Sequence, residues 1–453
     1  MKKEKKRQAL PILVGVLLLC ACVASWGLVL TGHLQAKESL AEKKAAADAL
    51  FDKQIYDEAL REYKACLEIA PDDLSSVERV AEIYHLTGQD NSCIAWCERV
   101  LRTDPKNTAA ALLEAQSYDH QKKVKAAISV LSRVRKAGGG SEALDALLLE
   151  LKGRYELTYY TFTFIGPWFS LPDGSQAATV ADEEGLRVVT TAGKDVVKGS
   201  WSYLGQSADD DLLFPVKEGN ETFFVDEKGN RRLVPDAACS SLHSFSEGLA
   251  AAVKDGKAGW LDKAMREQRF DYQETFPPVG GRALARKEDT WFVLDPSLQE
   301  VTACSFTAVK QDVYGNAQKY GLLEGRLPSE DPAASPQWGL FLPDGSRVGD
   351  FSADDLRMPE ASEAPIAFCR NGSWGFVDPD GTVILEPTYE DAKSFSKGLG
   401  AVKQDGKWGY VDKTGAFVIP PTFDDAGAFS TAGTAFVKNH AGYSLLTLSR
   451  YRT

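Results

Sequence analysis

Five aspartates recur at matched places in the second half of the chain: Asp226, Asp262, Asp295, Asp378 and Asp412. Paired carboxylates could carry out acid–base hydrolysis, above all of glycosidic bonds. Each of these, however, closes a short apolar run, and glycine follows three residues later at Gly229, Gly381 and Gly415. An aspartate that binds its own backbone, ahead of a glycine free to take positive φ, makes a hairpin turn, and turn chemistry is the expected role. Cys93 and Cys97 stand four apart on one helical face, a spacing open to a metal ion. Both occupy positions that are apolar in sister copies, so helix packing is expected instead. Cys66, Cys239, Cys304 and Cys369 are scattered singly and form no disulfide or zinc pattern. His33, His85, His120, His243 and His440 share no spacing for a metal or a nucleophile–base pair. The glycines at 138–140 have no lysine after them, and neither GxSxG nor HExxH occurs. The expectation is a protein without cofactor, metal or catalytic constellation, and hence not an enzyme.

The elements that would position side chains are legible as two repeat systems. From Phe395 the chain reads FSKGLGAVKQDGKWGYVDKTGAFVIPP, three alternating segments rich in Val, Phe, Tyr and Ile, separated by turns. Degraded copies end at Thr190, Asp226, Asp262, Asp295, Leu342, Asp378, Asp412 and Leu445, with spacings of 36, 36, 33, 47, 36, 34 and 33 residues. The 47 marks an insertion at 312–337. One such unit cannot bury its apolar face alone, so copies stack around a ring or along a line. The expected form is a β-propeller of seven or eight blades, with a β-solenoid as the alternative. The strand-like residues 159–169 are expected to complete the last blade and leave no edge exposed.

The motif G-K-W-G-Y-V-D, preceded by F-S-x-G-L-x-A-V and followed by V-I-P, resembles the WG (KWG) repeat of bacterial surface and envelope proteins. It is closest over residues 364–424 and moderate at 245–262. The resemblance implies a fold and a binding role. The recurrence of Trp374 and Trp408 marks them as core between blades, with a sugar-stacking platform as the alternative if they are exposed.

Residues 40–139 hold the second system, with a strict period of 34. Ala47, Ala81 and Ala115 recur, as do Leu50, Tyr84 and Tyr118, then Ala59, Cys93 and Ala127, then Tyr63, Cys97 and Leu131. Small residues are needed where paired helices cross closely, and large ones fill the space between pairs. This is similar to three tetratricopeptide repeats, with 142–157 as a capping helix. The resemblance places Lys44, Asp48, Asp52, Glu78, Glu82, His85, Gln116, Asp119 and His120 along the concave groove. That face is mostly acidic and would suit a basic segment of a protein or peptide partner. In the insertion, Tyr314, Tyr320 and Arg326 are the candidate contacts.

Residues 1–32 read as a basic cytoplasmic tail and transmembrane anchor. The stretch 9–32 carries no charge over 24 residues, about 36 Å of helix against a hydrocarbon core of ~30 Å. The bases at 2–7 would stay cytoplasmic, placing the bulk of the chain outside the cytoplasm, in a bacterial envelope by the resemblance. A lipoprotein anchored at Cys22 is the competing reading. The net charge of −12 offers no basic stripe for nucleic acid. Three segments are therefore expected: the anchor at 1–32, helical repeats at 33–157 and an all-β repeat domain at 158–453. The expected function is a membrane-anchored scaffold that holds a protein or a cell-wall polymer. The alternatives are a propeller enzyme acting on wall glycan or peptide, which needs carboxylates converging at the ring's mouth, and a structural spacer.

Overall fold

A computed structural model describes residues 39–207, 210–331, 333–440 and 442–451. The charge-free stretch, Cys22 and His33 lie outside them. No helix among the described residues is long and apolar enough to cross a membrane. The chain divides into two compact units between Leu151 and Lys152.

The first unit is a series of antiparallel helix pairs: α1 (39–52), α2 (Tyr56–Ile69), α3 (Leu74–Leu86), α4 (Asp90–Thr103), α5 (Thr108–His120), α6 (Val124–Lys136) and α7 (Glu142–Gly153). The positions that recur every 34 residues are its core: Ala47, Ala59, Tyr63, Ala81, Cys93, Cys97, Ala115, Ala127 and Leu131 are all fully buried. Cys93 and Cys97 meet at 3.8 Å between sulfurs as packed small residues of α4. Helices α3 and α5 begin on side-chain caps, Asp73 accepting from the Ser76 amide and Asn107 from the Ala110 amide. The capping helix is shorter than the expected 142–157. It ends at Gly153, and Tyr155–Tyr159 is a strand.

The second unit holds eight successive antiparallel sheets. Their first strands are Phe164–Ile165, Tyr203–Leu204, Ser241–Ser246, Glu274–Thr275, a bridge at Val309, Asp355–Leu356, Asp391–Ser396 and Asp425–Ala426. We number the sheets 1 to 8 in that order. Each packs an apolar layer on the next, as Phe224 of sheet 2 does on Phe245 of sheet 3. Sheet 8 packs on sheet 1 through Phe436 and Trp168, stacked at 4.8 Å, and Trp168 Nε1 donates to the Ala428 carbonyl. A linear stack would leave the first and last sheets apart; here the series returns to its start. The outermost strand of sheet 8 comes from the beginning of the unit, as the expected closure requires, but it is Tyr155–Tyr159 rather than 159–169. Phe164–Ile165 and Phe169–Ser170 instead pair within sheet 1.

The WG dipeptide has a steric cause. The fourth strand of sheet 7 bulges where Pro420 and Pro421 pass the third strand, between the Trp408–Phe423 and Tyr410–Ile419 pairs. A Cβ on Gly409 would lie 2.6 Å from the Ile419 carbonyl oxygen, and one on Gly375 2.4 Å from that of Leu385. Glycine is the residue that admits the bulge, while Trp374 and Trp408 fill the space beside it and are buried.

Candidate functional site

The helical unit presents a cleft of about 530 Å³ between α3 and α5. Glu78, Arg79 and Glu82 face Gln116 across an apolar floor of Leu112 and Leu113. Of the nine groove residues read from sequence, Glu78, Glu82 and Gln116 line this cleft. Lys44 is instead drawn to Asp73 at 3.1 Å, and Asp48 accepts a hydrogen bond from Tyr63. Asp52 is exposed and Asp119 half-buried, and neither lines the cleft. His85 and His120 stack at 5.7 Å, and His120 lies 3.2 Å from Asp90. Burial, and then the neighbouring His120, keep His85 below the ordinary histidine range.

The cleft is less acidic than its sequence suggests. Arg79 binds Glu82 at 2.8 Å and lies over the Phe51 ring, and Glu78 accepts from the Asn107 side-chain Nδ2 at 2.6 Å. Arg79 was legible as an i,i+3 partner of Glu82.

In the eight sheets, the hydrogen bonds of the first strands put one residue of each sheet at an equivalent place. The amides of Gly166, Gly205, Phe276, Lys310, Arg357 and Gly427 each donate to the second strand of their own sheet at the same register. Lys393 pairs there with Ala401, and His243 falls there between Leu242 and Phe245.

Three of these residues form a repeated relay. Lys310, Arg357 and Lys393 lie over Trp338, Trp374 and Trp408 of their own sheets, at 4.5, 4.4 and 5.0 Å from the ring centroids. Each also pairs with the aspartate that opens the next sheet: Lys310 with Asp355, Arg357 with Asp391 at 3.1 Å and Lys393 with Asp425 at 2.8 Å.

Sheets 1 and 3 are filled differently, by the insertion, which also touches sheet 2 at Gln206. Residues 312–316 repeat the turn of Asp226–Asn230: Asp312 accepts from the amides of Tyr314 and Asn316 as Asp226 does from Lys228 and Asn230. This turn enters the ring. The Tyr314 hydroxyl accepts from the Thr179 amide and donates to the Pro167 carbonyl, both at 3.1 Å, and a Cβ on Gly166 would meet it at 2.4 Å. The Tyr314 carbonyl lies 3.0 Å from His243 Nδ1, and Gln206 donates to Asn316. Tyr314, expected as a surface contact, is therefore a buried plug residue, only 3% exposed. Tyr320 is 41% exposed and Arg326 is exposed on its strand.

Behind the plug sits a charged cluster. Lys319 lies 3.6 Å from Glu360 and 3.9 Å from Asp312. Burial works against its charge, but Glu360 and then Asp312 outweigh it and hold the ammonium above the usual lysine range. Glu324 is fully buried, and neither carboxylate oxygen has a hydrogen-bond partner. Burial pushes it up to about 8, against the pull of Lys319 and Lys310. Sequence reading missed Glu324, although the signal was present: the same second-strand place is Ala251, Leu284, Ala367 and Ala401 in other sheets. Asp312 and Glu360 thus meet at Lys319, while the turn aspartates Asp226, Asp262, Asp295 and Asp412 accept from their own turn amides.

Among models of known families, the WG containing repeat matches residues 374–408 and 408–443. The chain therefore carries WG repeats there, bounded by the equivalent third-strand residues Trp374, Trp408 and Tyr443. No curated protein matches the chain. Parts of it are similar to solved structures. One is the P58(IPK) TPR domain, 18% identical over 26% of this chain and 34% of that one, TM-score 0.24. Another is the yeast Sti1 TPR2B domain in its pHsp70 complex, 19% identical over 25% and 94%, TM-score 0.23. A third is the Neurospora crassa Pan2 WD40 domain, 10% identical over 55% and 89%, TM-score 0.31. The chain spans about a third of the first of these.

Proposed function

We propose that this protein is a non-enzymatic binding scaffold, anchored to a bacterial membrane through residues 9–32, with the rest outside the cytoplasm. Its helical repeats hold an extended segment of a protein partner, and its eight sheets form an eight-bladed β-propeller. The anchor rests on the 24 uncharged residues behind a basic flank. The propeller rests on the packing of sheet 8 against sheet 1 and on the shared strands that close it.

The observation that carries the binding role is the cleft between α3 and α5. It combines a floor of Leu112 and Leu113 with a small set of polar groups, Arg79, Glu82 and Gln116, the composition that recognition of a peptide side chain requires. Because Arg79 neutralises Glu82, the partner segment is amphipathic with a modest positive charge, rather than strongly basic.

The test is a photocrosslinking residue at Gln116 of the full chain in its native membrane, with the same probe at exposed Lys125 as control. A discrete protein crosslinked at Gln116, and lost in Glu82→Lys, supports the reading. Identical products at both positions would defeat it. Deleting residues 9–32 is expected to release the chain from the membrane fraction.

A further inference from the structure

The equivalent positions around the ring are filled one after another, with one exception. Bases lie over tryptophans in sheets 5, 6 and 7, and Phe276 stacks on Trp291 in sheet 4 at 5.7 Å. His243 meets the plug in sheet 3, the Tyr203 hydroxyl and the Pro215 ring crowd Gly205 in sheet 2, and the Tyr314 hydroxyl crowds Gly166 in sheet 1. In sheet 8 the place belongs to Gly427. A Cβ built there meets backbone atoms of Phe436, at 3.2 and 3.9 Å, and no side chain within 4 Å.

The aromatic partner of that place is nonetheless present. Tyr443 pairs across the sheet with Lys438 as Trp408 pairs with Lys403, so Tyr443 stands where the relay tryptophans stand. Where the missing side chain would run there is a cavity of about 220 Å³, lined by Tyr443, Gly427, Trp168, Asp425, Glu360 and Lys393, among others.

We infer that this cavity binds an alkylammonium or alkylguanidinium group, supplied from outside the chain in place of the lysine or arginine that sheets 5 to 7 carry themselves. The protein shows three times what the geometry accepts: a cation on an aliphatic stem, over an aromatic ring, beside a carboxylate. Asp425 lies 2.8 Å from Lys393 and Glu360 3.6 Å from Lys319, so each of the two carboxylates of the lining is shared between a lysine of the chain and the cavity. Lys438 reaches the Tyr443 ring at 5.4 Å from the strand opposite, but is not part of the cavity lining.

Two sources share this chemistry: a free small amine, or a lysine or arginine side chain of another protein. The experiment is saturation-transfer NMR on the full chain with n-butylammonium and n-propylguanidinium, using 1-butanol and butyrate as neutral and anionic controls. Transfer to the cations and not to the controls is the expected result. Glu360→Gln should weaken binding by about tenfold, the loss of one charged partner. Gly427→Lys, which supplies the base in cis, should abolish binding without lowering the thermal midpoint. A lysine-containing peptide that competes with butylammonium would assign the site to a protein side chain, and failure to compete would assign it to a free amine. Binding of butylammonium no better than that of butanol, or undiminished in folded Gly427→Lys, would overturn the proposal.

Discussion

Sheets 5 to 7 and sheets 8 to 2 are built on one plan but fill it by different means. In the first group each sheet supplies its own aromatic ring and its own base, and the base reaches the aspartate of the next sheet. In the second group the inner position is glycine: side chains of its own sheet, Tyr203 and Pro215, crowd Gly205, no side chain reaches Gly427, and the space over Gly166 is filled from elsewhere. Over Gly166 it is Tyr314, from an insertion more than a hundred residues along the chain. The difference teaches that a degenerate repeat need not be a weak one: loss of the motif's base makes room for another element. It also separates local from distant stabilisation, since a relay sheet depends on its neighbours and sheet 1 depends on the plug.

The largest effect is expected at the plug. Tyr314→Ala removes a buried aromatic ring and two hydrogen bonds, and is expected to cost roughly 3–5 kcal/mol in denaturant unfolding, with the loss concentrated in sheets 1 and 2 by hydrogen exchange. A cost below that of a surface substitution would mean that the insertion is not structural. Next comes the motif glycine. Gly409→Ala sets a Cβ against the Ile419 carbonyl oxygen, which belongs to backbone and cannot swing aside, at an expected cost of about 2–3 kcal/mol by the same assay.

The charged cluster makes stability depend on pH. Glu324 titrates at about 8 in the fold against 4.5 ordinarily, so the folded state holds a proton that the unfolded chain has released. Its contribution is present below the lower value and declines as pH rises between the two, at about 1.4 kcal/mol per unit. Glu324→Gln should flatten that slope, with the variant gaining on the wild type from pH 5 to pH 8. Equal slopes in urea titrations would contradict it. The smallest effect is expected within a relay. Lys393→Met removes a half-exposed ion pair and a cation over Trp408, worth about 1 kcal/mol, and leaves the fold intact by circular dichroism.

Much of this architecture was legible because repetition exposes it. The 34-residue register picked out Ala47, Ala81 and Ala115, which are buried where helices cross. The glycine after each of Asp226, Asp378 and Asp412 identified turns, and those three glycines take positive φ. The closing strand was less legible, since Tyr155–Tyr159 follows a leucine-rich helix with a single residue between them, and period alone extends the helix through it. Its partner lies almost three hundred residues away, and no local pattern reports that. The plug was misread for a related reason. DVYGNAQKYG is polar and rich in turn residues, as exposed loops are, and becomes interior only because a ring surrounds it. In the groove, the resemblance to tetratricopeptide repeats indicated the face that carries Glu78, Glu82 and Gln116. It could not say that Asn107 and Arg79 already hold the two glutamates, because one of those contacts joins separate repeats and the other depends on rotamer.

The inner places are equivalent, and of their three glycines Gly427 alone meets no side chain within 4 Å of a built Cβ, only the Phe436 backbone at 3.2 and 3.9 Å. The most direct measurement is the unfolding free energy of two single variants, Gly166→Lys and Gly427→Lys, in the same buffer. The structure predicts that lysine at 166 collides with Tyr314 and costs several kcal/mol, whereas lysine at 427 enters the cavity over Tyr443 and costs nothing or stabilises. Equal destabilisation by the two would contradict the account.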